Sequence, residues 1–176
     1  MFLVCQKMTG GNKTMGTTKT GRVLNTHGAA GSASQFSIVH SNEGAYTKPK
    51  KGDHIRLKSG GHGQTGMNEL DKYGIRYVIE KTYPNGVRVG HVLDHTNKAK
   101  RKSMGQSWFP KDWKSKDIKH AGEHVANLKG NRHVQDGIAV YGMWKGVRVG
   151  VIRTHGQIAT IFPDSKQPTH KGGKRK

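Results

Sequence analysis

Apolar and polar positions alternate along residues 75–82 and 87–93, and both stretches are rich in β-branched side chains. A period of two turns one face of a chain to a core and the other to water, so each stretch reads as a strand. Tyr83-Pro84-Asn85-Gly86 supplies a turn between them, and the pair predicts a hairpin. Three further strands, 138–144, 147–154 and 157–162, are separated by Lys145-Gly146 and His155-Gly156 and predict a meander. Between hairpin and meander the spacing changes. Ile118, Ala121, Gly122, Val125 and Leu128 recur at helical intervals within 115–128, where Ser115 can cap the first turn and Gly130 follows the last. A shorter helix is expected over 66–73, capped by Thr65 and stopped by Gly74. Gly86-Val87-Arg88-Val89-Gly90 recurs as Gly146-Val147-Arg148-Val149-Gly150. Both copies suit strands with one wet face, but two copies do not make a repeat architecture. Hairpin, one main helix and meander together give an α+β domain.

Residues 1–52 are dominated by Gly, Ser, Thr, Asn and Lys. They read as a flexible or loosely ordered N-terminal segment, with one short strand expected at 36–40. The patterned domain spans 53–164, and 165–176 form a basic tail expected to be disordered. One domain fits a length of 176 residues. With 32% hydrophobic residues and 25 glycines, its core is expected to be small for that length.

Charge narrows the partners. Lys and Arg number 31 against 11 Asp and Glu, a net charge of +20. Only five of the basic residues lie in the last eleven positions, so the folded part attracts polyanions by itself. Cys5 is the single cysteine, which excludes an intramolecular disulfide and a cysteine zinc site. The apolar start, Met1-Phe2-Leu3-Val4-Cys5, is too short for a signal peptide, and no stretch is long enough to span a membrane.

Eleven histidines match the eleven acidic residues in number. Imidazoles titrate near neutrality, so a pair can act as base and acid in one reaction. Cleaving RNA without a metal needs a base for the 2′-OH, an acid for the leaving 5′-oxygen and a cation beside phosphorus. Two His and one Lys meet these needs, whereas metal-dependent nucleases gather the carboxylates that are scarce here.

Several motifs then resemble one family in order. Ser59-Gly60-Gly61-His62-Gly63-Gln64 is similar to the GGH element of bacterial EndoU domains. Tyr83-Pro84-Asn85-Gly86-Val87-Arg88-Val89-Gly90 and Gln106-Ser107-Trp108-Phe109-Pro110-Lys111-Asp112-Trp113 resemble its hairpin and its entry to the helix. Gly156-Gln157-Ile158-Ala159-Thr160-Ile161-Phe162-Pro163 resembles its closing strand. The resemblance covers roughly 53–164 and implies an EndoU/barnase-like RNase fold. It further implies a metal-independent endoribonuclease that leaves a 2′,3′-cyclic phosphate, often at uridine, and needs no cofactor.

Residue by residue, the resemblance implies His62 as the catalytic histidine. His54 and His95 compete for the second place. His54-Ile55 echoes an upstream H-I-x-x-G stretch whose glycine is here out of position, and His91 is a third choice, read as an exposed strand residue. Lys102, or Lys100 in its stead, matches the lysine before the FP element. Thr160 and Phe162 would meet the base, and Lys100, Arg101 and Ser107 would line the substrate path. The loop basics equally suit simple phosphate attraction, and Phe162 a place in the core. The resemblance further implies a toxin, tRNA its usual target, with an acidic immunity protein bound 1:1 to a monomer. It also implies delivery by a secretion system into the cytoplasm of a target cell.

His120-Ala121-Gly122-Glu123-His124 matches an H-x-x-E-H zinc pattern, but its side chains point away from the apolar helix face and read as solvated. The alternative to an enzyme is a non-catalytic basic nucleic-acid-binding module, which charge and scattered aromatics would also fit.

Overall fold

The computed structural model describes residues 31–169. In chain order they form helix α1 (Gln35–Asn42), strands β1 (Ala45–Tyr46) and β2 (Leu57–Ser59), helix α2 (Gln64–Lys72), and strands β3 (Tyr77–Thr82) and β4 (Arg88–Val92). A 3-10 turn (Lys98–Arg101), strand β5 (Gln106–Trp108) and helix α3 (Ser115–Asn127) follow. Strands β6 (Val140–Trp144), β7 (Val147–Thr154) and β8 (Gln157–Pro163) close the domain. The strands make three antiparallel sheets, β1-β2, β3-β4-β5 and β6-β7-β8, and the class is α+β. No helix among the described residues is long and apolar enough to cross a membrane.

The expected hairpin and meander form and their turns close as expected, although β3 has no core face: Val78 and Ile79 are exposed. Gly86 adopts φ 93° and its N–H donates to the Tyr83 carbonyl at 2.9 Å, closing the β3–β4 turn. Both meander turns need positive φ at two successive residues, and Lys145, Gly146, His155 and Gly156 supply it. The main helix begins where expected, but its first turn is held by Asp117, whose carboxylate accepts the Lys114 N–H at 2.8 Å, and not by Ser115.

Several expectations are corrected. Residues 36–40 lie in α1 rather than a strand: Ser34 caps the helix through the Ser37 N–H, and Ile38 and Ser41 turn inward while Phe36 stays 82% exposed. With α1 and β1 part of the fold, ordered structure begins well before residue 53; residues 1–30, Cys5 and the tail from 170 lie outside the described residues. Helix α2 starts two residues earlier than expected, with Gly63 at its N-cap, because Thr65 accepts from the Asn42 side chain instead. The basic loop carries an extra strand, β5, paired to β4. Finally, the first Val-Arg-Val copy has no wet face. Arg88 is buried and donates to Gln64 Oε1 at 2.7 Å and to the Phe109 carbonyl, whereas Arg148 pairs with Asp164 at 2.6 Å nearer the surface.

Two apolar cores result. The larger packs Ile118, Ala121 and Val125 of α3 on Val147, Val149, Val151 and Ile161 of the meander, and takes in Val87, Val89 and Phe109. The smaller joins Leu57, Met67, Leu70, Ile75, Val92 and Trp108. Trp108 and Phe109 are neighbours in sequence and fill opposite cores, so β5 forms the seam between them. Each fully buried ring contributes about 1.5–3 kcal/mol over leaving it in water. His62 meets this seam through Ser107 and Phe109.

Candidate active site at the glycine turn

The turn carrying His62 is built by the end of α1. A helix leaves its last carbonyls without partners. Here three successive amides supply them: Gly61 N–H donates to His40 O at 3.0 Å, His62 N–H to Ser41 O at 2.6 Å, and Gly63 N–H to Asn42 O at 3.0 Å. The approach is so close that side chains are excluded. A Cβ on Gly60, which also has φ 70°, would lie 2.0 Å from the His40 carbonyl oxygen, and one on Gly63 would lie 1.7 Å from Asn42 Oδ1.

On its other side His62 meets β5. Its carbonyl accepts the Phe109 N–H at 2.7 Å, and its Nδ1 lies 2.8 Å from the Ser107 carbonyl oxygen. A carbonyl can only accept, so Nδ1 carries the proton and Nε2 holds the lone pair in the neutral ring. The side chain is 4% exposed. Burial first, then the positive charge of Lys100, push its pKa down to about 3, against the opposing bond to Ser107; His40 and His95 lower it further.

That coupling identifies the cluster: His62, Lys100, His40 and His95. His95 is buried, and burial with Lys100 and Arg101 lowers it to about 4. Its Nδ1 accepts the Asn97 N–H at 2.9 Å, so its neutral ring carries hydrogen on Nε2, the reverse of His62. Lys100 is half-buried on the 3-10 turn, and burial lowers its pKa from the ordinary lysine value. His40, in the last turn of α1, is half-buried and likewise lowered by burial.

The remaining sequence candidates fall in different places. Lys102 is exposed just past the 3-10 turn, while Lys100 enters the cluster. His54 is exposed and lines a separate cavity with Lys50 and Arg56. Arg101 points back to its own loop, donating to the His95 carbonyl at 2.7 Å and the Thr96 carbonyl at 3.3 Å. The Ser107 hydroxyl is buried and donates to the Pro163 carbonyl at 2.6 Å, so this residue reaches the site through its main chain. Phe162 lies beside His62, ring centroids 5.9 Å apart, on the same half-buried face of β8 as Thr160. Gly150 permits this, since a Cβ there would lie 2.5 Å from the Phe162 ring. His91 is half-buried on β4 and bonds Glu80 Oε2 at 2.7 Å.

His40 escaped the sequence reading. Its signal was present in His40-Ser41-Asn42-Glu43-Gly44, which has the histidine-to-glycine offset that the His54 stretch lacks. A serine in place of isoleucine, inside a segment read as linker, hid it.

The H-x-x-E-H residues of α3 are drawn apart. Glu123 accepts the Ala33 N–H at 2.9 Å, His124 packs against the Trp144 ring at 4.9 Å, and His120 is exposed. Among the described residues no three His, Cys, Asp or Glu side chains are grouped to hold a metal ion.

No curated protein and no solved structure matches the chain. The family model for bacterial EndoU nuclease matches residues 37–165, a span that begins inside α1 and ends two residues beyond β8. With most of its length so matched, the chain belongs to the bacterial EndoU nuclease family.

Proposed function

We propose that this nuclease cuts RNA by proton transfer between imidazoles, with no metal in the reaction, leaving a 2′,3′-cyclic phosphate. The observation that carries the reading is the bond from His62 Nδ1 to the Ser107 carbonyl, beside Lys100 and a second histidine. It holds the Nε2 lone pair ready to accept the 2′-OH proton, and it survives when His62 becomes an imidazolium, because both ring nitrogens then donate. The freed 2′-oxygen attacks phosphorus, the 5′-oxygen leaves with a proton from an acid, and the Lys100 ammonium offsets the charge gathered on the phosphoryl oxygens.

His40 suits the acid role better than His95. Protonating His95 would set a new Nδ1–H against the Asn97 N–H, so its hydrogen bond favours the neutral ring. Among the described residues no such bond opposes an imidazolium at His40. The bound phosphodiester adds negative charge next to Lys100 and raises both working histidines from their low resting values. His54, exposed and apart from the cluster, is not given a catalytic role. Thr160 and Phe162 supply a hydroxyl and a ring for a pyrimidine such as uridine.

The test is RNA cleavage in the presence of EDTA with mapping of the ends. Cyclic-phosphate ends that disappear in a folded His62→Ala variant support the reading; full activity in that variant would overturn it. A non-catalytic binding module would retain RNA and cut none.

We extend the proposal to a toxin delivered by a secretion system, acting on tRNA in the cytoplasm of a target cell. Its producer would be protected by an acidic immunity protein in a 1:1 complex. The +20 charge supports an acidic partner through steering and complementarity. Co-purification with the product of the neighbouring reading frame tests this, and a neutral partner bound away from His62 would count against it.

A further inference from the structure

A cavity of about 650 Å³ opens between the β1–β2 connection and the start of the basic loop. Lys48, Lys50, Arg56 and His54 line it, with Asp53 as the one carboxylate and Thr96 closing the wall toward the basic loop. With His54 neutral the lining carries three cations against one anion. Among the described residues none of the three cations is engaged in an ion pair. The connection has a defined backbone: Thr47 N–H donates to the Arg56 carbonyl at 2.9 Å, Arg56 N–H to Thr47 Oγ1 at 2.9 Å, and Asp53 N–H to the Lys50 carbonyl at 2.9 Å.

The cavity joins the active site along two paths. Thr96 follows His95 directly, donates to the Leu57 carbonyl at 2.9 Å and holds the Arg101 guanidinium on its own carbonyl. Arg56 precedes β2, which runs on into Gly60, Gly61 and His62. Six residues of chain span at most ~20 Å, so the cavity lies within a few nucleotides of His62. The Leu57 N–H to Asp94 carbonyl bond at 3.2 Å fastens the two paths together.

We propose that this cavity binds the phosphodiester backbone of the RNA a few nucleotides from the bond being cut, so that a long single strand is a better substrate than a dinucleotide. The inference rests on the RNase reading above. Unpaired cations on flexible stems with threonine hydroxyls suit phosphate oxygens, which ask for charge and donors at no fixed angle. An acidic protein would instead need a large apolar anchor at the centre of its interface, and apart from Pro49 and Gly52 every lining residue carries a polar or charged side chain.

The test is the triple variant Lys48→Ala, Lys50→Ala, Arg56→Ala, assayed across a salt series on a long single-stranded RNA and on a dinucleotide. The expected result is a kcat/KM about tenfold lower on the long RNA, with unchanged dinucleotide cleavage. The slope of log kcat/KM against log salt should become shallower by about 0.7 for each phosphate that the variant no longer neutralises. Unchanged cleavage of the long RNA, an unchanged salt slope, or an equal loss on both substrates would overturn the proposal. So would a variant that keeps its preference for long RNA while losing an acidic protein partner. Failure of the underlying reading looks different: the unmodified protein would then cut neither substrate.

Discussion

On one side of the cluster His62 is gripped by main chain. Its N–H, its carbonyl and its ring are bonded to Ser41, Phe109 and Ser107 backbone groups, and a Cβ at Gly60 or Gly63 would run into the His40 carbonyl or the Asn42 side chain. On the other side the turn bearing His95 and Lys100 is held largely by side chains. The Asn97 carboxamide accepts the Ala99 N–H at 2.8 Å, and the Arg101 guanidinium ties down two loop carbonyls. Glu80, reaching across from β3, accepts from the Ser103 hydroxyl at 2.5 Å and the Met104 N–H at 2.9 Å while bonding His91. Those donors hold the Glu80 carboxyl down at about 2, so it is ionised at any working pH. Main-chain bonds survive side-chain substitution, and side-chain clamps do not. The proposed base is therefore fixed by the fold, while the proposed phosphate cation depends on a few replaceable groups.

The largest effect should come from removing the proposed base itself. His62→Ala is expected to lower kcat/KM about 10³-fold with the fold intact by circular dichroism. Lys100→Ala should follow at about 10²-fold, with partial recovery in Lys100→Arg, because an arginine restores charge but not the shape of the site. Glu80→Gln loosens the turn without touching substrate. We expect about a tenfold fall in kcat and a smaller change in KM, as a shifted Lys100 costs more in the transition state than in binding. A loss equal to that of Lys100→Ala would mean that Glu80 does more than hold the turn. Smallest is Ser107→Ala, expected to keep activity within about twofold because the carbonyl remains, while losing about 1 kcal/mol of stability with the bond to Pro163. A large loss of activity there would break the contrast between main-chain and side-chain grip.

Acid should also separate the two sides. Folding holds His62 at about 3 and His95 at about 4, below the ordinary 6.5. Between those values the unfolded chain binds more protons, so stability falls as pH drops from about 6.5 toward 4. Thermal melting across that window should show the slope, and His62→Gln should flatten it more than His95→Gln.

The pattern of apolar positions was enough to read the hairpin, the meander and the main helix, because period and turn chemistry are local. Val87 and Val147 behave alike in their two copies for the same reason. Arg88 and Arg148 do not, since whether a guanidinium is buried or wet depends on what the rest of the chain lays over it. The glycine turn and its histidine were likewise legible. His40 was not: α1 has too little apolar surface to announce itself, and its carbonyls matter only once the glycine turn is folded onto them.

By itself the sequence determined the elements, the basic charge and the histidine-rich chemistry, all properties of residues and their near neighbours. Tertiary structure alone decided which imidazoles meet Lys100, which ring nitrogen of His62 is free, and that His54 faces a different cavity. Those outcomes depend on burial and on partners tens of residues away, such as Ser107 to His62 and Ser41 to Ile161. Local spacing cannot encode them, because a pKa and a tautomer are set by what surrounds a side chain in space.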